Sequence, residues 1–329
     1  MKTPSFWYKE QPNFLAKALR PFSNVYSFIS NKKAASSISY KSKLPVICVG
    51  NITAGGGGKT PVVAALYKLL QENSLSLEPY ILTRGYGGSI AGPERVNKHG
   101  PADLWGDEPL LHAQYASVVK SENRAKGARF IERENSTLIL MDDGAQNMQL
   151  EKDILFYVIK GDRGFGNKRL IPSGPLREPL DIAFEKADAF IIIGDDTTGI
   201  QEKLPADKAC FHANLNIVNG NPPKDIPYIG FAGLAFPAGF KNTLEANGYQ
   251  AEDFIEFADH HEYTERDIEK LFTLAHEKKA TLITTEKDYM RLPPFARKQE
   301  IAVLKAHLEF KETEKILSFL KDKLNNLNN

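Results

Sequence analysis

The chain has 329 residues, too many for one ordinary hydrophobic core and suited to two domains. Its 42 basic and 41 acidic side chains leave a net charge of +1, which excludes a nucleic-acid binder held by bulk charge. The two cysteines, Cys48 and Cys210, form no CxxC pair and no disulfide framework, so a reduced, cytosolic setting is the natural reading.

Residues 1–43 stand apart from the rest. They carry eight Lys or Arg against one acid, Glu10, together with Phe6, Trp7, Tyr8, Phe14, Phe22, Tyr26 and Phe28. Phe22, Val25, Tyr26 and Ile29 recur at helical spacing behind Pro21, a residue suited to a helix start. No run of about 18 apolar residues occurs, so a spanning helix is not expected. The continuous apolar stretch and small-residue cleavage site of a signal peptide are missing as well. The segment reads as an amphipathic helix lying in a membrane interface, with Lys32, Lys33, Lys41 and Lys43 near anionic headgroups. The competing reading is a helix packed on the first domain.

Next comes "LPVICV", an apolar, β-branched run that reads as a buried strand, then a glycine-rich loop, then "PVVAALYKLLQEN" as a helix with Pro61 in its first turn. "EPYILTRGYGG" reads as a strand ending in a second glycine-rich loop, and "DEPLLHAQYASVV" as a helix. "SENRAKGARFIERE" follows as a helix or helix-rich loop. "STLILMDDG" is a strand ending in two carboxylates, and "KDILFYVIKG" and "ADAFIIIGDD" are further buried strands. Strands alternating with helices predict a doubly wound, mostly parallel α/β sheet. Beyond about residue 200 the pattern becomes that of a second, smaller α/β unit. "CFHANLNIVN" and "EIAVLKAHLEF" read as strands there, "TTEKDYMRLP" as strand into loop, and "ETEKILSFLKDKL" as a last amphipathic helix.

The loop "TAGGGGKT", residues 53–60, carries the first chemistry. It departs from G-x-x-x-x-G-K-[ST] only in having Thr53 at the first glycine position. A strand before it and a helix after it aim backbone N–H groups and the positive helix end at an anion. Gly55, Gly56, Gly57 and Gly58 allow close approach of a phosphate, with Thr53 and Ala54 leading into the turn. Lys59 is expected to reach the β- and γ-phosphates and Thr60 to hold Mg²⁺. Asp142 and Asp143 are the matching metal carboxylates. Adjacent strand residues face opposite ways, so both act only if the strand ends there, and Gly144 supports that.

An acceptor base is sought in "WGDEP" and "ADHHEYT". An Asp paired with a His fixes the tautomer and raises basicity. Spacing alone does not bring Asp107 to His260 or His261, and Thr264 with Asp267 offers a helix-capping alternative for the histidine pair. Arg84, Arg163 and Arg177 stand in Gly- and Pro-rich loops suited to phosphate contacts.

The ordered set "VGNITAGGGGKTP", "TRGYGG", "GDEPLLHA", "MDDGAQN", "IPSGPLREPL", "GFAGLAFPAGF", "ADHHEYT" and "TTEKDYMRL" resembles the tetraacyldisaccharide 4′-kinase family over nearly the whole chain. The resemblance implies a kinase using ATP and Mg²⁺ on the 4′-hydroxyl of a tetraacylated disaccharide 1-phosphate, a lipid A precursor, and yielding lipid IVA. It implies work at the cytoplasmic face of the bacterial inner membrane through a peripheral N-terminal segment, with no nucleic acid and no obligate protein partner. It also implies two α/β/α sandwich units, the first P-loop NTPase-like, joined by a two-stranded linker. That divides the chain into residues 1–43, a kinase domain at 44–208 and a smaller domain at 209–329. The catalytic Asp–His pairing then falls on Asp107 and His260, with His261 as the neighbouring candidate. Arg84, Glu108, Arg177 and Glu178 match further polar positions assigned to substrate or phosphate. One departure stands out: the family's D-D-G-F-Q-H is "DDGAQN" here. Asn147 cannot titrate, and Ala145 leaves less apolar surface, so either acyl packing differs or a neighbour fills the space. Rival readings are a kinase of a soluble small molecule and a nucleotide switch acting on a protein.

Overall fold

The computed structural model describes residues 4–9, 14–23, 25–26, 39–72, 78–218 and 222–327. Glu10, Phe28, Ile29, Lys32 and Lys33, named above, lie outside the described residues. The larger of two sheets contains β1 (Val46–Asn51), β2 (Pro79–Thr83), β3 (Glu94–Arg95), β4 (Ser117–Lys120), β5 (Leu138–Asp142), β6 (Ile154–Lys160), β7 (Ala189–Ile193), β8 (Ala209–Ile217) and β13 (Ala306–Phe310). Their spatial order is 13-8-7-6-1-5-2-4-3. Every pairing is parallel except those of the edge strands β3 and β13. The smaller sheet holds β9 (Pro227–Ala232), β10 (Gln250–Glu256), β11 (Thr281–Thr285) and β12 (Ile301–Leu304), all parallel, in the order 10-9-11-12. The mixed α/β class with a large, mostly parallel sheet is as expected.

β1 is buried at every residue, and its side chains divide by the period of two between the two faces. Ile47 and Val49 face one core with α2 (Lys59–Glu72). Val46 and Cys48 face the other, where α5 (Arg124–Ile131) and α6 (Leu180–Lys186) contribute Ala128, Ile131 and Ala183. The chain leaves β1 through α2 toward β2 on one side, and β6 pairs on the other. β1 is thus a topological switch point, where ligands bind beyond the strand ends. Between β2 and β5 lie α3 (Ala102–Trp105), α4 (Asp107–His112) and α5.

Helices also cover both faces of the smaller sheet. α7 (Pro237–Ala246) sends Phe240 and Leu244 to one side. α8 (Glu265–Lys278) sends Ile268, Leu271 and Ala275 to the other, followed by α9 (Glu286–Arg291). The last helix, α10 (Thr313–Leu327), returns to the larger sheet, burying Ile316, Leu317, Leu320 and Leu324 against the strands that face α2.

Three local expectations change. "DEPLLHAQYASVV" is helical only to His112, and the β-branched Ser117–Lys120 run becomes β4. "EIAVLKAHLEF" divides into β12 and β13, one in each sheet. "EKDYMR", read as loop, is α9, capped by the Thr285 hydroxyl accepting from the Asp288 N–H. At position 145 the small side chain lies against the backbone of β1 at Gly50. Ala145 is buried, and a Cβ added at Gly50 would come within 2.3 Å of its own.

At the N-terminus, Ser5–Tyr8 form a turn of 3₁₀ helix and α1 (Phe14–Ala18) is a short helix. Both are fastened to the loop at 167–177. The Trp7 indole N–H donates to the Pro172 carbonyl (3.0 Å), the Ser173 hydroxyl to Ala16 O (2.5 Å) and the Ser23 hydroxyl to Leu170 O (2.8 Å).

Because α10 completes the core of the larger sheet, Leu320→Ala should lower unfolding free energy by about 2–5 kcal/mol in denaturant titration. A loss below about 1 kcal/mol would place that helix outside the first core.

Candidate active site

The glycine loop runs from the end of β1 into the 14-residue α2. Gly55 (φ +92°) and Gly58 (φ +80°) take backbone angles that side chains avoid. At Gly57 the constraint is space, since a Cβ there would stand 1.5 Å from the Asn51 amide nitrogen. The loop is also stapled from outside. The Ala54 N–H donates to Pro175 O and the Arg177 N–H to Ile52 O, both at 2.8 Å, and Thr53 bridges Leu176. The turn is therefore shaped before any anion arrives, with the positive end of α2 behind it. Lys59 and Thr60 are the first two residues of that helix.

β5 ends at Asp142 and Asp143 follows it in a turn, so the strand stops between the two carboxylates. Asp142 is buried on the side of α2, and its Oδ2 lies 2.9 Å from His112 Nε2. Its Oδ1 is buried with no hydrogen-bond partner. Asp143, in the left-handed region at φ +49°, turns toward the loop. It takes the Arg177 guanidinium at 2.6 Å and stands 3.6 Å from Lys59 Nζ. Burial would raise the Asp143 carboxyl, but Lys59 and Arg177 hold it below the usual range. These donors fit a hard divalent cation. An orphaned carboxylate oxygen and a helix-start hydroxyl are oxygen donors of the kind such a cation takes. Mg²⁺ suits such a place, because it takes one or two carboxylates plus phosphate oxygens and water.

The acceptor-side candidates come together across the two sheets. Asp107, first residue of α4, is 4% exposed. Its Oδ2 receives Arg291 Nη2 (2.5 Å) and Nε (2.9 Å), with Lys287 Nζ at 3.7 Å and His260 Nδ1 at 3.6 Å. Asp107 and His260 are thus neighbours without a direct hydrogen bond, and Arg291 occupies the position between them. Lys287 donates to Glu108 at 2.9 Å. Burial opposes ionisation of both acids, yet Lys287 foremost, with Arg291 at Asp107, keeps them below the usual carboxylate range. His260 is shifted down as well, by burial and then by Lys287, against the raising effect of Asp107. Its ring packs edge-on to the exposed Tyr86 (5.2 Å).

The remaining sequence candidates scatter. His261 turns away, with Nε2 3.1 Å from Asp267 and its ring stacked on Phe257, inside the capping box of Thr264 and Asp267. For this histidine the capping arrangement wins over the dyad. Glu178 is buried and takes donors from Gln146, Tyr157 and Lys186, so packing consumes the carboxylate expected at the substrate. Arg84 is exposed beyond β2 and makes no ion pair among the described residues. Arg163 lies over the Phe236 ring at 3.5 Å, tying the larger sheet to the start of α7.

Lys287, Arg291 and Asp288 were not singled out in the sequence. Asp288 is fully buried, accepting from Gly233 N–H, the Tyr263 hydroxyl and Arg291. The available signal was T-x-x-D at Thr285–Asp288, a helix start that puts Lys287 and Arg291 four apart on one face.

Three comparisons bear on this geometry. The family model LpxK, tetraacyldisaccharide-1-P 4′-kinase, matches residues 15–325. A tetraacyldisaccharide 4′-kinase of Rhodospirillum rubrum is 39% identical over 306 residues, covering 91% of each chain. One from a Bradyrhizobium species (strain BTAi1) is 40% identical, covering 89% of this chain and 85% of that one. A crystal structure of LpxK from Aquifex aeolicus in complex with ATP superposes with a TM-score of 0.76 at 27% identity, over 94% of this chain and 99% of that one. With a family model spanning nearly its full length and relatives near 40% identity on both sides of the cleft, this chain belongs to the tetraacyldisaccharide-1-P 4′-kinase family.

Proposed function

We propose that the glycine loop and the Asp107–His260 cluster are the two halves of one phosphotransfer site. The γ-phosphate of ATP goes to the 4′-hydroxyl of a tetraacylated disaccharide 1-phosphate. The observation that carries this reading is α4, whose first residue meets His260 while its last meets Asp142. One short helix thus spans the acceptor and nucleotide sides.

In this reading the amides of residues 53–60 and the Lys59 ammonium bind the β- and γ-phosphates. Thr60 with Asp142 or Asp143 would hold Mg²⁺, which when bound neutralises charge on the transferring group. Asp143 orients Lys59, and Arg177 completes the local charge balance. His260, kept neutral by burial and Lys287, accepts the proton of the sugar hydroxyl. Asp107, held ionised by Lys287 and Arg291, stabilises the imidazolium that results. Glu108 and Arg84 line the approach of the sugar. Water exclusion on closure of the cleft limits hydrolysis of ATP.

The same reading divides the chain into a membrane-contacting segment at 1–43, a kinase unit at 44–208 and a stretch at 209–329 that holds the smaller α/β unit together with linker strands and the C-terminal helix, of which β8, β13 and α10 pack with the larger sheet. β8 and the returning β13 form the link. Among the described residues no helix is long and apolar enough to cross a membrane. Phe14 is 85% exposed and Phe22 62%, with Leu15 and Val25 also outward. That apolar face supports peripheral contact with the cytoplasmic face of the inner membrane, where the acyl chains stay while the headgroup enters the cleft.

Lys59→Ala should lower phosphate transfer to a disaccharide 1-phosphate by about a hundredfold or more with the melting temperature unchanged. Near-native turnover rejects the assignment. The acid limb of kcat/KM should fall below the ordinary histidine value of about 6.5, because burial and Lys287 disfavour the protonated, inactive ring. Lys287→Gln should move that limb to higher pH. A combined Phe14→Ser and Phe22→Ser variant should lose co-sedimentation with anionic vesicles while retaining ATP binding.

A further inference from the structure

His112 is fully buried at the last position of α4 and takes no part in the proton transfer above. Both ring nitrogens are engaged. Nδ1 meets the Tyr115 hydroxyl, and Nε2 stands 2.9 Å from Asp142 Oδ2. A carboxylate only accepts, so Nε2 is the donor to Asp142, and with the ring proton placed there Nδ1 accepts from the Tyr115 hydroxyl. The chain of donors runs one way, from Tyr115 through His112 to Asp142. Tyr115 is in turn braced edge-on against Tyr67 of α2, at 5.5 Å.

This one-way arrangement acts on a carboxylate whose other oxygen, Oδ1, is buried without a partner. A desolvated, unpaired carboxylate oxygen costs stability unless a ligand meets it. With Oδ2 committed to His112, rotation of the carboxylate about its last bond is blocked and Oδ1 is the single atom left to offer.

We propose that His112 is a positioning residue that locks the Asp142 carboxylate so that Oδ1 faces the divalent cation of the nucleotide. The inference rests on the reading of Asp142 as a metal carboxylate. It makes α4 the element that sets the cation side and the acceptor side together. His112 orients Asp142 from one end of the helix, and Asp107 stands beside His260 at the other. A leucine at position 112 would fill the same space without a donor. Glutamine carries an amide N–H at about the reach of Nε2.

The test measures ATP affinity by equilibrium binding, with and without Mg²⁺, alongside thermal unfolding. His112→Leu should lose about tenfold to a hundredfold of the Mg²⁺-dependent gain in ATP affinity, as loss of outer-sphere partners does elsewhere. Mg²⁺-free ATP binding should stay within about twofold of native. His112→Gln should restore most of the gain. Two outcomes overturn the proposal: His112→Leu keeping the full Mg²⁺ gain, or a folded His112→Gln losing as much as leucine does. Asp142→Asn serves as the control for the underlying reading. If it too keeps the Mg²⁺ gain, the metal assignment fails first; if it loses the gain while His112→Leu keeps it, only the positioning role of His112 fails.

Discussion

Arg291 sets its guanidinium against the Asp107 carboxylate through two donors while Nη1 reaches the Gly233 carbonyl and Asp288, so one buried cation ties α4 of the larger unit to the end of β9 and α9. Arg291 and Asp107 side chains are 5% and 4% exposed, which makes either charge expensive alone. Removing one partner of such a pair typically costs about 3–5 kcal/mol, since the survivor is left buried and unpaired. The same Gly233 carbonyl accepts the His260 N–H at 3.2 Å, and the Gly233 N–H is held by Asp288. This polar cluster therefore holds His260 beside α4, with the Tyr86 ring packed edge-on against it.

That cluster also sets the charges of its members. Lys287 and Arg291 supply two cations around Asp107 and Glu108, which keeps both acids ionised despite burial. Lys287 disfavours protonation of His260 for the same electrostatic reason. Two titratable groups driven apart in this way leave an imidazole that resists protonation beside a fixed anion. Every contact described for Asp107 falls on Oδ2.

On the nucleotide side, the constraint is steric and reaches back to the N-terminus. The glycine loop is stapled to Pro175, Leu176 and Arg177, and that loop in turn carries Trp7, Ala16 and Ser23 through hydrogen bonds. Tyr26 donates to the Arg177 carbonyl, so the aromatic segment rests on the residue that also pairs Asp143. The apolar residues it leaves outward lie on the same scaffold as the phosphate turn.

The glycine loop, the strand that ends in paired carboxylates and the doubly wound larger sheet were all legible in the chain. Each is local: a buried β-branched strand, a run of glycines and a helix start lie within about 30 residues, and backbone sterics fix their geometry. The strand end expected at the carboxylate pair falls there, since β5 stops at Asp142 and Asp143 turns out of it. The acceptor side was legible only as a list of candidates, because Asp107 and His260 are brought together by a fold that closes over 150 intervening residues. Tertiary packing alone separated His260 from His261, since their neighbouring backbone positions send one ring to α4 and the other to a helix cap. It alone took Glu178 into the interior and brought Lys287 and Arg291 to Asp107 from a helix start whose local pattern names no distant partner. Buried charges choose partners by proximity in space, and proximity in space across two sheets is not written in the order of the residues.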